Sequence, residues 1–507
     1  MTDNTSSNKR LAKNTVLLYI RTILVMAVSL YTSRVVLATL GVDDFGIYSV
    51  VGGVVAMLSI ITSSLSSSIS RYVTFELGHG DKEKLRKIFI ASVNIQFIFS
   101  FIVLLVGETI GVWFLNYKMN IPADRMYAAN WVLQCSLSCF VLNLISIPYN
   151  ATVIAHERMS AFAYISILDV ALKLLIVYML SISPWDKLIT YAVLLVVVSL
   201  TIRIVYGLYC SIHFDEAKYK LEFDGNLVKE IGGFTGWGFF LHGVSLLNTN
   251  GLSILVNLFF TVAVNGALGI ALQVQAAFLQ FTRNFTTALN PQITKLYAAG
   301  NISDMNKLVI RGSKFSFFLS FLICLPLILE TEYILNLWLG DVPEHTIAFV
   351  RLTVIGVIIQ QLGDTGFTAC MATGNIKKYS LIIGFASISI FPLTYLFFYM
   401  GYAPEVAYII YSIVYLFVNI VRLIYMKRTM EFPIIDYIRN VYVKVALVVS
   451  LSLLLPILYV HFNSISFLRF VVTSLVSVIS VAISVFAVGL THNERHYMWG
   501  KFLQVTK

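Results

Sequence analysis

Long runs of apolar residues follow one another along almost the whole chain, and short charged or turn-forming segments separate them. An α-helix needs about 20 mostly apolar residues to cross roughly 30 Å of hydrocarbon, and each run is that long. The pattern predicts fourteen membrane-spanning helices, with approximate limits 14–39, 45–70, 88–115, 126–152, 160–181, 187–212, 234–260, 264–290, 312–335, 347–373, 379–400, 403–426, 441–461 and 467–490. We therefore predict an all-α polytopic membrane protein.

The composition agrees with the apolar pattern. Of the 507 residues, 58% are apolar and 12% are charged, whereas soluble domains are near 25% charged. The 36 Lys and Arg residues outnumber the 26 Asp and Glu residues, but they lie in short loops between apolar runs and predict no nucleic-acid partner. The five cysteines all lie within apolar runs and form no Cys-x-x-Cys pair. This spacing indicates neither a disulfide framework nor a metal site.

The Lys and Arg residues concentrate in alternate loops, and this distribution predicts the orientation of the helices. With the N-terminus placed in the cytoplasm, the loops on the outer side hold Lys118, Arg125, Lys187 and Arg469. Most of the other basic residues then lie in cytoplasmic segments, as the positive-inside rule requires. An even number of helices keeps this alternation, so we predict that both termini are cytoplasmic.

Two short blocks recur along the chain and indicate a duplication. The pair Phe45-Gly46 recurs as Leu268-Gly269, and Gly80-Asp81 recurs 220 residues later as Gly300-Asn301, in equivalent loops. Halves related in this way have the same orientation in the membrane. The predicted domains are an N-lobe of six helices at 1–213, a cytoplasmic linker at 214–233, a C-lobe of six helices at 234–428, and two additional helices with a cytoplasmic tail at 429–507.

Charged side chains at membrane depth are the candidate functional residues, since each costs at least about 2.5–3.5 kcal/mol at the centre of a bilayer. Arg21, Arg34 and Arg283 have apolar helix on both sides, which indicates either a water-filled cavity that accepts anions or interhelical salt bridges. Arg203 is a further cavity candidate, although it and Arg422 lie near cytoplasmic ends where an arginine can extend to the headgroups. The candidates for the substrate cavity are Arg21, Arg34, Arg203, Arg283, Gln273 and Asn250.

Three charged residues are candidates for ion coupling. Asp169 and Lys173 are four residues apart and share one helix face, so they are either a self-neutralising pair or a protonatable switch. Asp364 follows Gln360 and Gln361 and has no basic neighbour one turn away on its own helix. That spacing favours a lone protonatable carboxylate.

Three sequence motifs by which common classes of enzyme are recognised are absent from the chain. It has no phosphate-binding Gly-x-x-x-x-Gly-Lys loop, no His-Glu-x-x-His and no Gly-x-Ser-x-Gly, the motifs that carry nucleotide, zinc and serine chemistry. We expect a protein that is not an enzyme and that needs no cofactor or metal.

Several short segments resemble the MOP exporter superfamily, and within it the polysaccharide-transporter branch of Wzx-type O-antigen flippases. They are the segment Arg34–Gly41, the following Phe45–Tyr48, Ser70-Arg71-Tyr72 after the serine-rich end of the second helix, and Asn290-Pro291. The resemblance covers about residues 10–430. It implies two six-helix lobes in a MATE-like arrangement, with two additional helices.

The resemblance also implies a function in the bacterial inner membrane. A flippase of this branch moves an oligosaccharide linked to undecaprenyl diphosphate from the inner to the outer leaflet by alternating access, for the synthesis of O-antigen, lipopolysaccharide or capsule. A proton or sodium gradient is the candidate driving force. For this function we expect Arg21, Arg34 and Arg283 to line one central cavity.

Three other functions remain open at this stage. A cation-coupled multidrug exporter of the MATE branch fits the same fold, although the excess of cations in the helices argues against it. A flippase for a peptidoglycan lipid precursor shares the fold and a cationic cavity. A membrane glycan polymerase would be the enzymatic alternative, but it usually requires a large outer loop that the sequence lacks.

Overall fold

The computed structural model describes residues 2–41, 44, 47–48, 51, 59–117, 121–220, 222–339, 342–492 and 494–495. The side chains of several residues inside these helices, among them Arg34 and Asn250, lie outside the described part. Over the described residues the chain is 89% helical and contains no strand. The all-α prediction is therefore confirmed.

Seventeen helices are named here in chain order, and some continue through a short 3-10 or π turn. The first nine are α1 (Thr2–Leu40), α2 (Ser59–His79), α3 (Lys82–Tyr117), α4 (Ala123–Ala155), α5 (Met159–Ser181), α6 (Lys187–His213), α7 (Gly225–Leu246), α8 (Leu252–Phe259) and α9 (Val262–Ala298). The others are α10 (Ile302–Leu329), α11 (Thr331–Leu339), α12 (Thr346–Gln361), α13 (Asp364–Ala372), α14 (Ile376–Tyr399), α15 (Val406–Met430), α16 (Ile434–Phe462) and α17 (Phe467–Gly489).

Within the described residues, 11 helices are long and apolar enough to cross a membrane. Large apolar side chains such as Phe101, Leu258 and Ile483 are exposed on their surfaces, as expected where helices face lipid tails. The chain is a multi-pass membrane protein. Part of the second predicted helix, 45–70, lies outside the described residues, and the count of fourteen stays a prediction.

The chain divides into two compact units. The first contains residues 1–242 and 294–300, and the second contains residues 243–293 and 301–507. The last turn of α9 therefore belongs to the first unit, while the rest of that helix belongs to the second.

The first unit is organised around α4, which packs against α2, α3 and α6. At one end of these helices, Phe89, Tyr149, Tyr206 and Cys210 form a buried core. The rings of Phe89 and Tyr149 meet edge to face with their centroids 5.1 Å apart, a favoured aromatic geometry. Helix α1 lies along α5 on the same unit.

The second unit is organised around α10, which packs against α12, α13, α16 and α17. The additional helices α16 and α17 pack on each other, and Ser480 Oγ donates a hydrogen bond of 2.9 Å to Ser452 O between them. A buried ion pair of 2.9 Å joins Arg469 on α17 to Glu330 at the end of α10. The sequence interpretation placed Arg469 in an outer loop and did not identify this pair.

A break separates α12 from α13 in the middle of the predicted helix 347–373. At this point the amide of Gly363 donates to Gln360 O over 3.0 Å, and the hydroxyl of Tyr437 donates to Leu362 O over 2.6 Å. A freed carbonyl at membrane depth needs such a partner. The break places Asp364 on the first turn of α13.

The recurring Gly-Asp and Gly-Asn blocks form the same turn. Gly80 and Gly300 both have positive φ angles, of 92° and 74°, which glycine adopts without a Cβ penalty. The next residue then caps a helix: Asp81 accepts from the amide of Lys84, and Asn301 accepts from the amide of Asp304. The two blocks therefore share one turn geometry, and the duplication itself stays a prediction.

Candidate functional site

The second unit contains a polar cavity of about 230 Å³ between α9, α12 and α13. Its walls are formed by Leu279, Thr282, Arg283, Thr286, Thr287, Asn290, Val357, Gln360, Gln361, Asp364, Phe367 and Thr368. Most of these residues carry hydroxyl, amide or charged groups. The cavity therefore offers hydrogen-bonding groups inside an otherwise apolar bundle.

Hydrogen bonds hold part of the cavity wall in place. Thr368 Oγ1 donates to Asn290 Oδ1 over 2.8 Å and so links α13 to α9. The hydroxyl of Tyr411, on α15, donates to Gln360 Oε1 over 2.9 Å. Gln361 is buried, and its Oε1 has no hydrogen-bond partner among the described residues. The side-chain oxygen of Gln360 is thus held by Tyr411, whereas the side-chain oxygen of Gln361 can still accept a hydrogen bond.

Arg422 on α15 is fixed directly behind the cavity. It is 7% exposed, its Nε donates to the hydroxyl of Tyr379 over 2.9 Å, and its Nη1 donates to Asn419 Oδ1 over 2.9 Å. The helix break allows this approach, since a Cβ on Gly363 would lie 1.6 Å from Nη1 of Arg422. The expectation that Arg422 extends to the headgroups was therefore wrong, because the side chain turns inward onto a glycine.

Asp364 lies within electrostatic reach of two arginines, Arg422 and Arg283. Arg283 is exposed on the cavity wall, so its guanidinium is accessible to a molecule in the cavity. Asp364 has no basic neighbour on its own helix, but the fold supplies two from other helices. The site combines two positive charges with one negative charge and carries a net positive charge.

The first unit holds a second polar cavity, of about 280 Å³. Its walls are formed by Tyr48, Cys135, Ser136, Cys139, Phe140, Asn143, Lys173, Ala192, Leu195 and Ser199. Lys173 is the charged residue of this wall, and its Nζ donates to Asp169 Oδ2 over 2.8 Å. Asp169 and Lys173 thus form the ion pair that their spacing predicted.

Arg21 on α1 lies near this ion pair. Its guanidinium carbon is 5.0 Å from the centre of the Phe162 ring, and Asp169 is within electrostatic reach. Its Nε is buried and has no hydrogen-bond partner among the described residues. The first unit therefore brings together Arg21, Asp169 and Lys173, again with two positive charges and one negative.

The remaining predicted cavity residues lie elsewhere or outside the described part. Arg203 stacks on Tyr149, with its guanidinium carbon 3.9 Å from the ring centre, and lines neither of these two cavities. Gln273 is exposed on α9 and lines neither of them. The side chains of Arg34 and Asn250 lie outside the described residues. That Arg21, Arg34 and Arg283 line one central cavity stays a prediction.

No group of three or more His, Cys, Asp or Glu side chains with the geometry to hold a metal ion occurs among the described residues.

The sequence matches no protein-family model and no curated protein. Solved structures of MATE transporters share the fold. A MATE in the bent conformation has a TM-score of 0.73 at 13% identity, over 84% of this chain and 96% of that one. The outward-facing conformation of a multidrug resistance MATE family transporter of the MOP superfamily has a TM-score of 0.70 at 14% identity, over 83% and 96%.

Another similar structure is a MOP superfamily transporter from Pyrococcus furiosus. It is described by a binding pocket of reverse polarity, which suggests a different function. It has a TM-score of 0.66 at 14% identity, over 83% of this chain and 96% of that chain. Likeness at these identities shows the fold. The chain therefore has a MATE-like fold.

Proposed function

We propose that this protein is an exporter of the MOP superfamily that moves an undecaprenyl-diphosphate-linked oligosaccharide from the inner to the outer leaflet of the bacterial inner membrane. It supplies the synthesis of a surface polysaccharide such as O-antigen, lipopolysaccharide or capsule. Both termini lie in the cytoplasm. The protein binds and moves the substrate and catalyses no covalent step.

The cavity of the second unit is the observation that carries this proposal. It presents Arg283 to its interior, has Arg422 behind the wall, and contains one carboxylate, Asp364. Taking a charge out of water is costly unless an opposite charge compensates it. A cavity with a net positive charge therefore favours an anionic substrate over a cationic one.

A diphosphate fits these groups by its chemistry. The planar guanidinium of an arginine binds phosphate oxygens through two parallel hydrogen bonds, which an ammonium group does not reproduce. The amides and hydroxyls of Gln361, Asn290 and Thr287 suit the hydroxyl groups of a sugar. Arg21 in the first unit is the second candidate for a phosphate contact, with Arg34, Arg203, Gln273 and Asn250 as the other proposed cavity residues.

Alternating access is the proposed mechanism of transport. Similar structures are described in a bent and in an outward-facing conformation, and rocking of one helical bundle against another exposes a fixed site to each side in turn. The anionic headgroup would travel through the polar cavity while the lipid tail remains in the bilayer.

Asp364, Asp169 and Lys173 are the proposed coupling residues. In each unit a carboxylate lies near basic groups, so protonation or cation binding at that carboxylate would change the local balance of charge. The proposed consequence is a dependence of transport on a proton or sodium gradient.

A multidrug exporter of the MATE type is the second candidate, because its fold is the one found here. Exporters of cationic drugs need acidic cavities, and the charge of the second-unit cavity argues against that function. The neighbour from Pyrococcus furiosus, described by a binding pocket of reverse polarity, is a precedent for a different function on this fold. A flippase for a peptidoglycan precursor remains as a variant of the main proposal, since it carries the same diphosphate.

Deletion of the gene in the organism that encodes it tests the proposal. We expect loss of a surface polysaccharide and accumulation of its lipid-linked precursor in the inner leaflet. Wild type and an Arg428→Gln control should restore the polysaccharide, and Arg283→Gln should not. Normal polysaccharide in the deletion strain would contradict the proposal, and arrest of peptidoglycan synthesis instead would favour the precursor flippase.

A further inference from the structure

Five basic side chains converge where the N-terminal parts of α10 and α16 meet the segment that follows α17. They are Arg311, Lys314, Arg439, Lys444 and Arg495. None of them lines the second-unit cavity described above. This cluster, called the basic junction below, is therefore separate from the candidate functional site.

Glu494 is the carboxylate that contacts the basic junction. It accepts a hydrogen bond of 2.6 Å from Lys314 Nζ, and its other oxygen lies 3.7 Å from Arg311 Nε. It also accepts from the amide of Thr491 over 2.8 Å. Lys314 is 1% exposed, so the acid is committed to neutralising a buried ammonium.

The other cations of the junction are left with weak compensation. Lys444 lies within electrostatic reach of Lys314, Arg439 and Arg495. Asp436 is one turn before Arg439 on α16, and the two form no ion pair in the described part of the chain. Among the described residues, Glu494 is thus the one carboxylate in contact with these five cations, and like charges within electrostatic reach of one another repel unless an anion lies between them.

The surroundings of the junction indicate which anion is available. In the predicted topology these ends of α10, α16 and α17 lie on the cytoplasmic side of the membrane. Arg439 is exposed, and so are the apolar side chains Ile435, Ile438 and Val443 on the same helix. A molecule with an anionic headgroup and apolar chains would match both the positive charge of the junction and the apolar side chains beside it.

We propose that the basic junction binds the phosphate headgroup of an anionic phospholipid of the cytoplasmic leaflet. Arg439 and Lys444 contact the phosphate, and the acyl chains lie along the exposed apolar face of α16. Basic pockets between membrane helices on this side bind such headgroups through charge and hydrogen bonds. The bound lipid would hold the additional helices α16 and α17 against α10.

The test uses the purified full chain in a neutral detergent, with thermal unfolding measured during titration with phosphatidylglycerol or phosphatidylcholine. We expect phosphatidylglycerol to raise the unfolding temperature of the wild type more than phosphatidylcholine does. In the double variant Arg439→Gln/Lys444→Gln the lipid should bind about 30-fold more weakly. The control Lys427→Gln/Arg428→Gln removes the same charge from the exposed last turn of α15 and should bind like the wild type.

Three results would overturn the proposal. The first is an equal shift with inorganic phosphate at the same concentration, which would make the junction a site for a free anion. The second is a shift with a polyprenyl diphosphate and none with phosphatidylglycerol, which would make it a substrate site. The third is an unchanged lipid response in the Arg439→Gln/Lys444→Gln variant.

A measurement on the wild type alone avoids any effect of the variants on folding. Native mass spectrometry with equal amounts of phosphatidylglycerol and phosphatidylcholine should show preferential retention of phosphatidylglycerol. Equal retention of the two lipids would contradict the proposal.

Discussion

Gly363 lies directly against the guanidinium group of Arg422, and a Cβ added to this glycine would be 1.6 Å from Nη1 of the arginine. The same Cβ would lie 2.2 Å from Oδ1 of Asn419, which holds that guanidinium. The break between α12 and α13 thus lets a buried arginine approach the first turn of α13, where Asp364 begins the helix. This contact places one of the two positive charges that lie within electrostatic reach of Asp364.

A change of Gly363→Ala should destabilise the second unit. The added methyl group cannot be accommodated unless Arg422 leaves Tyr379 and Asn419, and overpacking of this kind costs about 1–3 kcal/mol. Thermal unfolding in detergent would measure the loss. Gly269→Ala is the matched control, since a Cβ there meets nothing within 4 Å; equal stability of both variants would contradict the contact.

Asp364 and Arg422 should behave as a coupled pair. Removal of one charge leaves the other buried without its compensating partner, which is destabilising. Removal of both charges leaves no uncompensated charge of this pair. Asp364→Asn, Arg422→Gln and the double variant form a double-mutant cycle, and we expect a coupling energy of about 0.5–3 kcal/mol. Strict additivity of the three changes in unfolding free energy would show that the two groups do not interact.

Asp364 and Asp169 should also affect the driving force of transport. Asn at either position removes the charge that responds to protons or cations but keeps the size of the side chain. We expect transport by these variants in proteoliposomes to lose its dependence on an imposed proton or sodium gradient. Asp304→Asn changes a half-exposed carboxylate on α10 that lines neither cavity and serves as the control. Unaltered gradient dependence in both test variants would clear these carboxylates of a coupling role.

The loop before α6 should contribute to stability in a pH-dependent way. Burial acts to raise the pKa of Asp186, but the amides of Ile189 and Leu188 and the guanidinium of Arg125 bond to its carboxylate and lower the pKa below its ordinary value. A carboxylate with a lowered pKa stabilises the fold above its unfolded pKa, near 3.9, and loses that contribution as the pH falls through the folded value.

The measurement is the unfolding temperature between neutral pH and about pH 3, across the ordinary Asp pKa. The Asp186→Asn variant should have a lower unfolding temperature than the wild type at neutral pH. Its unfolding temperature should also decrease less as the pH falls. Asp124→Asn, at an exposed position in the first turn of α4, should follow the wild type. A parallel acid response of Asp186→Asn and wild type would exclude the contribution.

The helices and several charged positions could be predicted from the sequence because both follow from local composition. Apolar runs give the spans, and the cost of a charge at membrane depth marks Arg283 and Asp364 as unusual wherever they lie. The spacing of Asp169 and Lys173 gives their ion pair directly, since residues four apart share a helix face.

Partners from distant helices could not be predicted in this way. Arg422 follows Asp364 by 58 positions, and its direction depends on a helix break at Gly363 that no change in hydrophobicity reveals. Glu330 and Arg469 are 139 residues apart, and only the packing of α17 on α10 brings them together. Glu330 lies inside the predicted helix 312–335, and an acidic residue within an apolar run is the sequence signal that could have drawn attention to it.

The stacking of Arg203 on Tyr149 could not be predicted for the same reason. Its position near the end of a helix is compatible with a cavity or with the headgroups, and the sequence cannot show that α4 presents the ring of Tyr149 to it. The stacking of a guanidinium on an aromatic ring is favourable in its own right and requires no substrate.

Reconstituted flipping of the substrate tests the central claim most directly. Proteoliposomes would contain an undecaprenyl-diphosphate-linked oligosaccharide, and a lectin outside would report its arrival in the outer leaflet. The account predicts flipping by the wild type and by Arg428→Gln, and a rate about 10- to 100-fold lower for Arg283→Gln, the loss expected for a charge-assisted hydrogen-bond donor. Transport of a cationic dye without flipping of this lipid, or an unchanged rate in Arg283→Gln, would contradict it.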